Sequence, residues 1–118
     1  MEGLDLMTVY AVQKQMRFDQ NTKELVPRFK SMDKAEKWGE ITYILSSSAH
    51  PFSPDLVLGD IHEKLSTFSD DDLLLLVGNP TLIGMVTAIA GYYNDGSIRL
   101  LQWSGRHSEY TEISAKLY

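Results

Sequence analysis

DDDLLLLVGNPTLIGMVTAIAGYYNDGSIRLLQW, residues 70–103, is the stretch from which the fold is read. Within it, residues 73–77 are a continuous apolar run, preceded by three aspartates and followed by Gly78-Asn79-Pro80. A run this short between turn residues predicts a strand buried on both faces rather than a helix. Asn79 is a suitable N-cap, because its side-chain oxygen can accept from an amide orphaned in the first helical turn. Pro80 then takes the first helical position, where its missing N–H costs nothing. Residues 81–93 carry no charge, and a helix apolar on every side is expected in the interior. Gly84, Ala88 and Gly91 line one stripe of it, a packing feature that would let its backbone approach the sheet. Asn94-Asp95-Gly96 closes the helix, and residues 98–103 form the next strand. Strand, helix and strand joined at this length make a parallel, right-handed βαβ unit.

Working outward, 118 residues with 43% hydrophobic and 23% charged side chains predict one soluble domain, 1–118, that buries its core without staples. There is no cysteine, so disulfides, thiolate catalysis and zinc–thiolate sites are excluded. No apolar run approaches the ~20 residues of a membrane span, and no membrane partner is expected. Residues 1–7 read as a loose leader; the first six hold two acidic residues and no basic one, unlike a secretory signal. The net charge of −5 is uneven: residues 1–40 carry seven Lys/Arg against seven Asp/Glu, and residues 41–118 four against nine. An acidic body argues against direct nucleic-acid binding, which depends on neutralising phosphates.

Residues 8–12 are β-prone and predict the first strand. Residues 13–30 are polar, broken by Asn21 and Pro27, and read as a long loop; Arg17, Phe18 and Phe29 in it are candidate partner-binding residues. A short helix over 31–38, stopped by Gly39, leads to a strand at 41–45. Ser53 is expected to cap a helix that begins at Pro54 and carries an apolar stripe of Leu58, Ile61, Leu65 and Phe68. After a hairpin connection at 104–108, Thr111, Ile113, Ala115 and Leu117 alternate with Glu112, Ser114 and Lys116. That pattern suits a strand at a sheet edge with one wet face, which leaves a homodimer open. The fold class is therefore α/β: a small single-domain sandwich with a mixed, mainly parallel sheet of about five strands and two main helices.

If the strands ending near Leu45, Val77 and Trp103 are parallel, their C-terminal ends share one edge, where α/β sheets bind ligands. The loops leaving that edge supply the candidate ligand-binding residues Ser47, Ser48, His50, Asn79, Thr81, Arg106 and His107. Hydroxyls, imidazoles, a guanidinium and helix N-termini suit a phosphate or carboxylate, with Arg106 as countercharge. Gly-Asn-Pro is equally a plain capped turn, and neither nucleotide-binding glycine fingerprint is present. Asp70-Asp71-Asp72 lacks an EF-hand register and reads as solvated; His62-Glu63 lacks a zincin's second histidine; no G-x-S-x-G elbow appears. No catalytic residue, metal ligand or cofactor is assigned, and whether the chain is an enzyme stays open.

Residues 73–80, Ile83-Gly84, Ala88-Ile89-Ala90, Asn94-Asp95-Gly96 and Leu100-Leu101-Gln102-Trp103-Ser104-Gly105, with Pro51-Phe52-Ser53-Pro54 before the first long helix, resemble a family of short uncharacterised proteins encoded by marine tailed bacteriophages, cyanophages among them. The likeness covers residues 35–118. It implies production in the cytoplasm of an infected bacterial host and supplies a setting without a mechanism. Two functions follow. One is an accessory protein in host takeover that binds a host or phage protein without catalysis. The alternative is a small-molecule or nucleotide binder, or an enzyme, using the loop edge; a virion component has only the phage setting behind it.

Overall fold

A computed structural model describes residues 7–28 and 30–118; apart from Met7, the expected leader lies outside them, and so does Phe29. The first strand, β1 (Thr8–Gln13), sends Val9 and Ala11 to one face and Val12 to the other, the alternation of a strand buried on both sides. β4 (Glu40–Leu45), β5 (Leu73–Leu75) and β6 (Ser97–Ser104) join it in one sheet, and β7 (Glu109–Lys116) pairs with β6. The order is β4–β1–β5–β6–β7, every neighbouring pair parallel except β6 and β7. The expected α/β class and mainly parallel five-stranded sheet are thus what the chain forms.

The helices α1 (Pro54–Leu65) and α2 (Pro80–Tyr93) cover one face through Val57, Ile61, Leu65, Leu82 and Val86. A 3-10 helix, Lys30–Trp38, covers the other. Met32, Ala35 and Trp38, three apart, turn inward together, which is the spacing that 3.0 residues per turn places on one side. β1 sits between β4 and β5, so the chain leaves it in one direction and returns past it. The strand order therefore reverses between β1 and β5, the position where doubly wound sheets open a crevice at their C-terminal ends.

Three expectations are corrected. The segment 13–30 is not a long loop: β2 (Met16–Asp19) and β3 (Glu24–Pro27) form an antiparallel hairpin in a sheet of their own. The Asp19 carboxylate accepts from the Asn21 amide at 2.9 Å, the Lys23 amide donates to the Asp19 carbonyl at 2.8 Å, and Lys23 takes a φ of +62° to close the turn. α2 is not interior on every side. Leu82, Val86 and Ala90 are buried, whereas Thr81, Gly84, Ala88 and Tyr92 are exposed, because among the described residues nothing packs outside this single helix layer. Small residues on that outer face keep its exposed apolar area low; of the expected stripe only Gly91 is tightly packed, a Cβ there meeting Leu117 Cδ1 at 3.2 Å. Asp72, finally, is not solvated with its neighbours. It is buried at the start of β5, and its carboxylate accepts from the Ser69 amide at 3.0 Å.

Caps differ between the two helices. Ser53 stands at the N-cap of α1 without a side-chain bond, whereas Asn79 Oδ1 accepts from the amides of Thr81 at 2.8 Å and Leu82 at 3.4 Å. Asn79→Ala is expected to lower stability by about 1 kcal/mol in urea denaturation, and Ser53→Ala by a few tenths at most.

Candidate functional site

The crevice at the strand-order switch is filled by the chain itself. Gln13, at the end of β1, is only 3% exposed. Its amide nitrogen donates to the carbonyls of Ser46 at 3.1 Å and Ala49 at 2.8 Å, and its side-chain oxygen accepts from the Asn79 amide at 3.0 Å and from Gln15 Nε2 at 3.3 Å. One carboxamide thereby ties the loop after β4 to the N-terminus of α2. Gly78 lets the backbone pass beside it: with φ at +128°, a Cβ there would come 2.6 Å from Gln13 Cβ. Gln13 is the central residue of this edge, and a lone glutamine at a strand end carries no sequence signal of it.

The seven ligand-binding candidates do not come together. Ser48 and His50, with Ser46, Ser53 and Asp60, line a cavity of about 160 Å3 beside the plugged crevice. The hydroxyls of Ser46 and Ser48 are 3.0 Å apart, Ser47 is exposed next to them, and the exposed His50 ring lies 6.0 Å from Phe52. Asn79 is committed to its cap and Thr81 is exposed in the first turn of α2. Arg106 and His107 lie elsewhere, because β6 overshoots β5. Leu75, the last residue of β5, is level with Leu101, and Ser104 lies three residues, about 10 Å, further on. The exposed hairpin tip is instead held by the 3-10 helix, where Lys34 Nζ donates to the Ser108 carbonyl at 2.9 Å and lies 5.5 Å from the Trp103 ring. The serine and histidine loop thus faces Asp60 without the guanidinium it was expected to share. Among the described residues no group of three or more His, Cys, Asp or Glu is arranged to hold a metal ion, and no helix is long and apolar enough to cross a membrane.

A second surface is built by the hairpin. Phe18 and Leu25 are directly opposite each other across β2 and β3, so they share a face, and they remain 50% and 66% exposed. Arg17 and Val26, the neighbouring opposed pair, point the other way. With Asp19, Asp33, Glu36, Ile41 and Tyr43 they line a cleft of about 490 Å3 between hairpin and 3-10 helix. Three carboxylates face one guanidinium over an apolar floor, which is chemistry suited to a basic side chain. Of the partner-binding candidates, Arg17 therefore lines the cleft and Phe18 crowns the hairpin.

Burial pushes the Tyr43 phenol above its ordinary value, with Tyr110 and the Asp33 carboxylate adding to it. Tyr10 is raised in the same way by burial and by Asp72, against a smaller opposing hydrogen bond with Thr67. A phenol whose pKa is higher folded than unfolded stabilises fully below the unfolded value, and that contribution is lost as the pH rises beyond about 10. Stability should therefore fall on the alkaline side, and Tyr43→Phe should flatten that fall in urea titrations across it.

No curated protein and no solved structure matches the chain. The resemblance to phage proteins does find support, over nearly the whole length. The family model described as phage Pam3 gp32-like protein matches residues 7–117, and the chain belongs to that phage protein family.

Proposed function

We propose that this phage protein acts without catalysis, by binding a protein of the host or of the phage in the cytoplasm of the infected cell. The marine tailed-phage setting implied by the sequence resemblance is part of the same reading, as is a role in host takeover. The observation that carries it is the opposed pair Phe18 and Leu25, two large apolar side chains left exposed on a hairpin outside the main sheet. Exposed aromatic and aliphatic anchors rimmed by charge are the usual energetic centre of a protein interface. The carboxylates of the adjoining cleft and the net charge of −5 favour a partner that presents basic side chains, and they oppose direct contact with nucleic acid. The plugged crevice and the distant Arg106 give the small-molecule alternative no comparable support.

The test is quantitative affinity capture from infected cells with the full chain, with Phe18→Asp and with His50→Ala. Proteins retained by the unaltered chain and by His50→Ala but lost with Phe18→Asp support the reading. A set lost with His50→Ala and kept with Phe18→Asp overturns it.

A further inference from the structure

Among the described residues, β7 is one of the two edges of the main sheet, β4 being the other. Residues 111–116 are all exposed, the strand holds no proline, and its pairing with β6 runs from Ser97 opposite Lys116 to Ser104 opposite Glu109 without a bulge. Such an edge offers unpaired N–H and C=O groups to another strand unless charge or shape guards it. The charges on it, Glu109, Glu112 and Lys116, are of both signs, and two are already engaged within the chain: Glu112 pairs with Arg99 at 2.9 Å, and Lys116 Nζ donates to the Asp95 carbonyl. Glu112 and Lys116 stand on the face that carries the buried Tyr110, with Ser114 between them, while Ile113 and Leu117, 38% and 48% exposed, stand on the other.

We propose that β7 pairs antiparallel with β7 of a second copy of this chain, about a two-fold axis at Ser114. An axis perpendicular to the sheet keeps the helix layers of both copies on one side and so pairs residues of like parity. Among those registers, the one centred on Ser114 sets Glu112 against Lys116 of the second copy, and the symmetry repeats the contact. Centring on Glu112 opposes like charges, and centring on Ile113 or Ala115 sets a charge against Ser114. With the axis at Ser114, Ile113 covers Ala115 and Leu117 covers Thr111 of the second copy, so the exposed apolar side chains are shielded as well. Sharing these charges across the axis therefore favours this register over those that leave Glu112 and Lys116 unmatched or set like against like.

Because the chain has no cysteine, Ser114→Cys places a lone thiol on the axis. Directly opposed Cα atoms lie about 4.5–5.5 Å apart, within disulfide reach. Thr111→Cys is the control, since its thiol would face Leu117 and lie roughly 20 Å from its symmetry mate. Under mild oxidation Ser114→Cys should form a covalent dimer about ten-fold faster than Thr111→Cys or better. Sedimentation of the unaltered chain should show a monomer–dimer equilibrium that Lys116→Glu weakens by about ten-fold or more, as it opposes like charges twice. A chain monomeric up to its solubility limit, equal oxidation of the two cysteine variants, or a dimer indifferent to Lys116→Glu overturns the proposal.

Discussion

Gln13→Ala is expected to cost about 3 kcal/mol of stability, a fall in Tm of roughly 12 °C for a chain of this size, although the residue is uncharged and lies at the end of a strand. The cost comes from the groups left behind. The Ala49 carbonyl loses its donor, the Ser46 carbonyl keeps only the Ala49 amide, and the Asn79 amide loses its acceptor at the N-terminus of α2. Each buried group deprived of its partner costs about 1–3 kcal/mol, discounted here because the sites are only part-buried and water reaches some of them. Gln13→Glu separates the donor and acceptor roles. A carboxylate can still accept from Asn79 but repels the two carbonyls, and burial raises its folded pKa above the unfolded one. Relative to the unaltered chain, this variant should be least impaired below about pH 4, where it is protonated in both states, and lose ground as the pH rises. Urea denaturation at two pH values measures both effects. If Gln13→Ala lowers Tm by less than about 3 °C, water replaces the carboxamide and the crevice is a hydrated pocket rather than a structural joint.

Gln13 also marks the limit of what the chain reveals before it folds. Strand β5, the Asn79 cap and Pro80 were legible because each rests on neighbours within four residues, and local signals survive the loss of tertiary context. Gln13 acts on residues 33, 36 and 66 positions away, and no periodicity records such contacts. The hairpin was missed for a different reason. Its strands have four residues each, its turn contains no glycine, and Lys23 supplies the positive φ that glycine ordinarily signals. Asp19 two residues before Asn21 was the available cue, an Asx turn that closes the loop. The sequence places Arg106 and His107 at the loop edge because strand lengths are readable from it and register is not. Only the pairing of Leu75 with Leu101 shows that β6 continues past β5 and carries both residues away. The interior placement of α2 failed because apolar composition alone does not say how many layers cover a helix.

Phe18→Asp together with Leu25→Asp is expected to weaken binding of the proposed protein partner by about 100-fold or more while leaving folding nearly unchanged. The two side chains are opposed on the outward face of a hairpin that belongs to a separate sheet, so neither contributes to the two cores that hold β1, β4, β5 and β6 together. Truncating a buried interface anchor costs about 2 kcal/mol or more, and two of them, partly coupled through their own contact, should not add fully. Introducing aspartates into an already acidic surface adds a second effect that separates with salt. If the partner is basic, the new charges would steer it in faster at low ionic strength even as the lost apolar contact speeds release. The variant should therefore show its defect in the dissociation rate. Opposite results would follow from an electrostatic interface centred on the cleft: Asp33→Asn with Glu36→Gln would then slow association and flatten its salt dependence, and the Phe18 and Leu25 changes would matter little. Surface plasmon measurements of these pairs against one captured partner, at two salt concentrations, decide which surface carries the affinity.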